Sequence, residues 1–271
     1  ERRWVNRSWA IFFLIYAVFG LINLDTLPVA WTDEVLNLDP AVQHAITGEY
    51  RSALWPNPNS DLIFAGYLPL IQWVHRITLS VLPLEIFWIR LPFFLFSLLS
   101  IWLFQKLLKP KIGDNAIILT LLTIIVFLDK TVFEMNRSMR VEPLLIFLTL
   151  LYLYLKEKKQ SVFLRLLILG FLWMGHLYIW PLVLAFLLNE VRQLKVAQTI
   201  IGVVIFLIPS IIFLYQLHWD IAPIKEQLFH QVAQHRISET DLKSSPLMNS
   251  IWYRFYPHYK EQPLMPLVYL A

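Results

Sequence analysis

Two carboxylates stand side by side at Asp33 and Glu34, directly behind the apolar run WAIFFLIYAVFGLINL. Only 15% of the chain is charged, so the pair is either a solvating, helix-capping feature of a loop or part of a reaction centre. As chemistry, one carboxylate can take a proton from an attacking hydroxyl or amine while a new bond forms. Glu34 can tune Asp33 by like-charge coupling, and the same two residues are candidate ligands for a divalent cation such as Mg2+, Mn2+ or Zn2+. The sequence requires no cofactor beyond that. On a helix the two side chains would diverge by about 100°, so they need not share one task.

A second constellation lies in NRSMRVEP, which holds Arg137, Arg140 and Glu142. A guanidinium pairs bidentately with phosphate oxygens, so these arginines are candidates for an anionic substrate group. Glu142 then either orients Arg140 or meets sugar hydroxyls. The plainer alternative is an ion network that anchors a helix end. His176, in GHLYIWP, is the remaining substrate-side candidate, although Tyr178 and Trp180 beside it equally suit an aromatic belt at a membrane surface. His44, Arg51 and Lys130 are secondary loop candidates.

The elements that must position these groups are read from apolar runs. The chain is 58% hydrophobic, where soluble domains run at about 45–50% apolar and about 25% charged. Candidate spans fall at 9–24, 85–104, 115–130, 141–155, 162–175, 177–188 and 197–217. The expectation is an all-α polytopic membrane protein. The net charge of +4 comes in short clusters between runs, as topology determinants do, which speaks against nucleic acid as a partner. Segment 62–82 carries Arg76 in its middle and reads as an interfacial helix, since an arginine in mid-span is costly. Within the first loop, Asp39 is expected to cap a short helix PAVQHAIT that Gly48 ends. With this topology 25–82 is a large extracytoplasmic loop with short juxtamembrane helices, and it shares a face with 130–140. The chain has no cysteine, which excludes disulfides and thiolate chemistry. Its ending, PLMPLVYLA, reads as a chain that continues, so 1–271 is expected to be one transmembrane domain truncated at its C-terminus.

The ordered set of TDE, AVQHAITGEY, YLPLIQWVH, EIFWIRLPFFLFSLL and FEMNRSMRVEPLLIFLTLLYLYL resembles membrane glycosyltransferases of the C-type fold. The nearest likeness is to the protein O-mannosyltransferase and aminoarabinose-transferase group, over roughly 9–180. The first proline of that group's Pro-Pro-Leu stretch is replaced here by Leu68. The resemblance implies transfer of a sugar from a polyprenyl-phosphate donor to a lipid, glycan or protein acceptor. It makes Asp33 the base or metal-proximal acid and Glu34 its partner, puts Arg140 and Glu142 on the donor side, and leaves Arg90 structural. It also implies a bacterial inner-membrane protein with an extracytoplasmic site. The rival readings are a transporter of lipid-linked intermediates and a non-catalytic membrane partner in envelope assembly.

Overall fold

Every apolar run named above contains a helix, but several of the helices are shorter than the run that holds them. In the computed structural model the described residues are 2–30, 32–52, 54, 63–113 and 115–228, with the side chains of 2–8, 32, 33, 116, 226 and 228 outside that description. Ten α-helices follow in order: α1 Arg2–Leu21, α2 Thr32–Thr47, α3 Leu70–Val81, α4 Ile86–Ile112, α5 Ala116–Phe127, α6 Lys130–Asn136, α7 Glu142–Glu157, α8 Val162–Trp173, α9 Trp180–Val191 and α10 Val196–Gln216. No strand occurs among the described residues. These helices belong to one unit, Glu1–Gln227; a second unit, Leu228–Ala271, lies outside the described residues apart from the backbone of Leu228.

The caps correct the expectation of seven crossings. Asn115 accepts the Ile118 N–H through its side chain at 3.2 Å and so starts α5. Asp129 accepts the Thr131 and Val132 N–H groups at 3.0 and 3.1 Å and so starts α6. The run at 115–130 therefore yields a helix of 12 residues. Helices α8 and α9 are also 12 residues each. At 1.5 Å per residue such a helix is about 18 Å long, against a hydrocarbon core of about 30 Å. Among the described residues only α4 and α10 are long and apolar enough to cross a membrane. The polytopic C-type fold with its large outer loop is thus corrected. The inner-membrane location with an extracytoplasmic site goes with it, because both were counted from run lengths that included caps and turns.

The first loop is also reorganised. Helix α2 begins at Thr32 and runs through Pro40, so Asp39 does not cap a helix starting at Pro40. Its carboxylate instead accepts the Ser52 hydroxyl at 2.6 Å and the Leu54 N–H at 3.2 Å, which pins the strand of chain leaving α2. Of segment 62–82, the described residues 63–82 are helical only over α3. The first turn of α3 is fixed by the Leu70 N–H, which donates to the Met174 carbonyl at 3.1 Å. Trp73 Nε1 donates to Gln216 Oε1 at 2.8 Å, so α3 is tied to the end of α10.

The main core lies among α3, α4, α7, α8 and α10, with Phe93, Leu144, Leu148, Tyr152, Leu166, Leu169 and Phe206 buried in it. The α8–α10 contact is close because Gly170 has no side chain: a Cβ there would lie 2.3 Å from the Phe206 carbonyl oxygen. A second cluster of Phe12, Tyr16, Phe94, Ile101 and Phe127 joins α1, α4 and α5. Much apolar side chain stays outside both. On α10 alone, Ile200, Ile201, Val204, Leu207, Ile211 and Ile212 are exposed.

Candidate functional site

The carbonyls at a helix C-terminus have no partner within the helix, and the helix dipole makes that end attractive to cations. Two guanidiniums meet the chain just past the end of α1. Arg90, on the second turn of α4, donates from Nη1 to the Leu24 carbonyl at 3.0 Å. Arg137, which follows α6, donates from Nη2 to the Ile22 carbonyl. The stretch leaving α1 is therefore held by side chains from two other elements.

Arg90 is fully buried and needs a counter-charge. It finds Glu34, on the first turn of α2 and equally buried: Nε and Nη2 reach the carboxylate at 3.1–3.2 Å. Glu34 also accepts the Met139 N–H at 3.3 Å, from the link between α6 and α7. One carboxylate thus braces α2, α4 and that link. Both of its oxygens are engaged by Arg90, so in this arrangement Glu34 works as the anchor of the joint.

Arg137 is treated differently. It is 8% exposed, its Nε is buried with no hydrogen-bond partner, and its guanidinium lies 5.4 Å from the Phe133 ring centroid. Among the described residues no carboxylate forms an ion pair with it. Burial, and then the charge of Arg90, push its pKa down. Buried charges are ordinarily paired, so a nearly buried arginine beside a second arginine is a place that would accept an anion. The pair Asn136–Tyr16, with Nδ2 donating to the phenol oxygen at 3.0 Å, fixes the end of α6 behind it.

Arg140 and Glu142 form their own ion pair, with Nη2 to Oε1 at 2.6 Å, and both are partly exposed. Glu142 is the first residue of α7, where a carboxylate suits the positive end of the helix. His176 sits before the 3-10 turn Leu177–Ile179, its Nδ1 accepting the Tyr178 N–H at 3.3 Å. Its ring stacks on that of Tyr178 at 4.5 Å. A Cβ on the neighbouring Gly175 would come 2.3 Å from Leu145, which puts this turn against the first turn of α7. Asp33 lies on α2 by its backbone, and its side chain is outside the described residues.

The structure therefore joins Glu34 to Arg90 and to the Met139 N–H, brings Arg90 and Arg137 to neighbouring carbonyls after α1, and pairs Arg140 with Glu142. Sequence reasoning placed Arg90 as structural but missed its partner. The signal was available: a lone arginine inside EIFWIRLPFF must find a carboxylate if that run is buried. It also missed Gln72 and His75 on α3. Both are fully buried, and neither the Gln72 amide nor the His75 ring has a hydrogen-bond partner. No group of three or more metal-ligating side chains occurs among the described residues.

No protein-family model matches the sequence, and neither a curated protein nor a solved structure matches it. The resemblance to C-type membrane glycosyltransferases is corrected accordingly. The stretches that suggested it consist mostly of apolar and aromatic residues, which recur in any helix-rich apolar chain. Sugar transfer from a polyprenyl-phosphate donor at an outer membrane face, with its transporter and envelope-partner rivals, loses both its supports: the family and the seven spans. What stands is the geometry: among the described residues, helices in which a buried glutamate–arginine pair lies near a second arginine that forms no ion pair.

Proposed function

We propose that the protein works against membrane lipid and holds a lipid-borne phosphate at Arg137. Arg137 carries the reading, being nearly buried and without a carboxylate partner among the described residues. A phosphate supplies the missing charge and can accept from both faces of a guanidinium fork. Helix α10 supports the lipid part. Its 21 residues hold no charged side chain, and only 22% of its apolar window is buried. A core helix would be covered, and a signal sequence would lie at the N-terminus; α10 is neither. At 1.5 Å per residue it is about 31 Å long, the thickness of a hydrocarbon core.

The proposed ligand class is a lipid that carries a phosphate on a single apolar chain, the phosphate meeting Arg137 and the chain meeting exposed aliphatic side chains. The test is binding of a short-chain prenyl phosphate and of the matching prenyl alcohol to the full chain in micelles. The phosphate is expected to bind at least tenfold more tightly, and Arg137→Gln to remove that preference while leaving alcohol binding unchanged. Equal binding of the two by the native protein would overturn the reading.

A further inference from the structure

We infer that Arg76 and His44 form a separate contact for the headgroup phosphate of an anionic bilayer lipid, on the outer side of the α2–α3 pair. This rests on the lipid reading above but uses other residues. Arg76 is half-buried on α3, and its Nε donates to His44 Nδ1 on α2 at 2.8 Å. An imidazole nitrogen that accepts from a guanidinium must carry its lone pair, so His44 is neutral with its proton on Nε2. Partial burial and the Arg76 charge both hold the His44 pKa down. The ring is steadied by Tyr50, 4.1 Å away between centroids.

The position of Arg76 is thus fixed without its charge being cancelled. No carboxylate pairs with it among the described residues. Glu49 and Arg51, in the chain that follows α2, pair with each other at 2.6 Å. The same two helices, α2 and α3, and the turn after α3 also carry exposed apolar side chains. Ile77 and Val81 on α3 are 67% and 74% exposed, and Ile46 on α2, two residues beyond His44, and Leu84 after α3 are exposed as well. A basic side chain on a helix pair that exposes aliphatic residues has the composition of an interfacial helix, whose apolar side chains sink among acyl chains while the basic group meets phosphate.

The test is flotation of the full chain with vesicles of phosphatidylcholine alone or with phosphatidylglycerol added. Native protein is expected to partition more strongly onto the anionic vesicles, and salt is expected to weaken that increment. Arg76→Gln is expected to lower partitioning onto anionic vesicles about fivefold, corresponding to about 1 kcal/mol for one basic side chain at an anionic surface. Arg76→Lys should restore most of it. Partitioning of Arg76→Gln onto phosphatidylcholine should match native protein, which also reports an intact fold. If the anionic increment is absent, is insensitive to salt, or is unchanged in Arg76→Gln, the Arg76 contact is overturned and the lipid reading survives. If native protein floats with neither vesicle, the lipid reading is overturned and this inference with it.

Discussion

At the scale of single residues, buried polar groups divide into those with partners and those without, and the two kinds make opposite predictions. The Glu34–Arg90 pair is fully buried and hydrogen-bonded on both sides. Removing one partner leaves an uncompensated charge, so Glu34→Gln is expected to cost about 3–5 kcal/mol of stability, read by chemical denaturation. Replacing both, as Glu34→Met with Arg90→Leu, should recover much of that loss. His75 is the opposite case. Burial lowers its pKa to about 3 from the usual 6.5, and its ring has no hydrogen-bond partner, only Phe93 with centroids 5.1 Å apart. Between those two values the unfolded chain binds a proton that the folded protein refuses. Stability is therefore full above the ordinary histidine pKa and falls as pH drops through the window toward 3. His75→Phe should flatten that part of the stability–pH curve and raise stability at pH 5, seen as a shift in the denaturation midpoint. Gln72→Leu should stabilise at all pH values, since it removes a buried amide with no partner.

At the scale of elements, the apolar runs marked where most helices lie but not their ends, and α6 falls in 130–140, a stretch read as a loop. Apolar periodicity marks where a helix lies, but Asn115 and Asp129 each start a helix by offering a side-chain oxygen to backbone N–H groups. Such polar residues look like the flanks of a span until the bond is seen. Asp39 shows the converse. It sits before a proline, as a cap would, yet the helix passes through Pro40 and the carboxylate serves the loop instead. The joint at Arg90 was illegible for another reason: its partner Glu34 is 56 residues away in the chain, and only packing decides which acid a buried arginine meets. Gly170 offers the test at this scale. A methyl group there would meet the Phe206 backbone, which cannot rotate away as a side chain can. Gly170→Ala is expected to cost about 1–3 kcal/mol by forcing α8 and α10 apart, whereas the same change at Gly113, where nothing lies within 4 Å but φ is +73°, would act only through backbone strain.

For the whole molecule, the question is what covers the apolar side chains that the bundle leaves outside. Monomeric proteins rarely expose contiguous apolar patches beyond a few hundred Å2, and α10 alone presents at least six large aliphatic side chains. If lipid covers them, Val204→Lys, near the middle of α10, should weaken vesicle association by about tenfold or more, given about 2.5–3.5 kcal/mol for a lysine at mid-bilayer. It should leave thermal stability in detergent nearly unchanged, because Val204 is 55% exposed. Strong association by the variant would point instead to a protein partner on that face.

The clasp around segment 63–73 also sets an order of events. The Ala65 N–H donates to Gln227 Oε1 at 2.8 Å, Gln227 Nε2 donates to the Ile63 carbonyl at 3.0 Å, and Trp73 Nε1 donates to Gln216. These groups are 143–164 residues apart along the chain. A ribosome adds about 5–20 residues per second, so the backbone before α3 waits roughly ten to thirty seconds for its acceptors to be made. Early in that interval, before Met174 is made, α3 has α2 and α4 to pack on but not the carbonyl that fixes its first turn. The part of the protein assigned here to a lipid surface is thus among the first to emerge and the last to be locked.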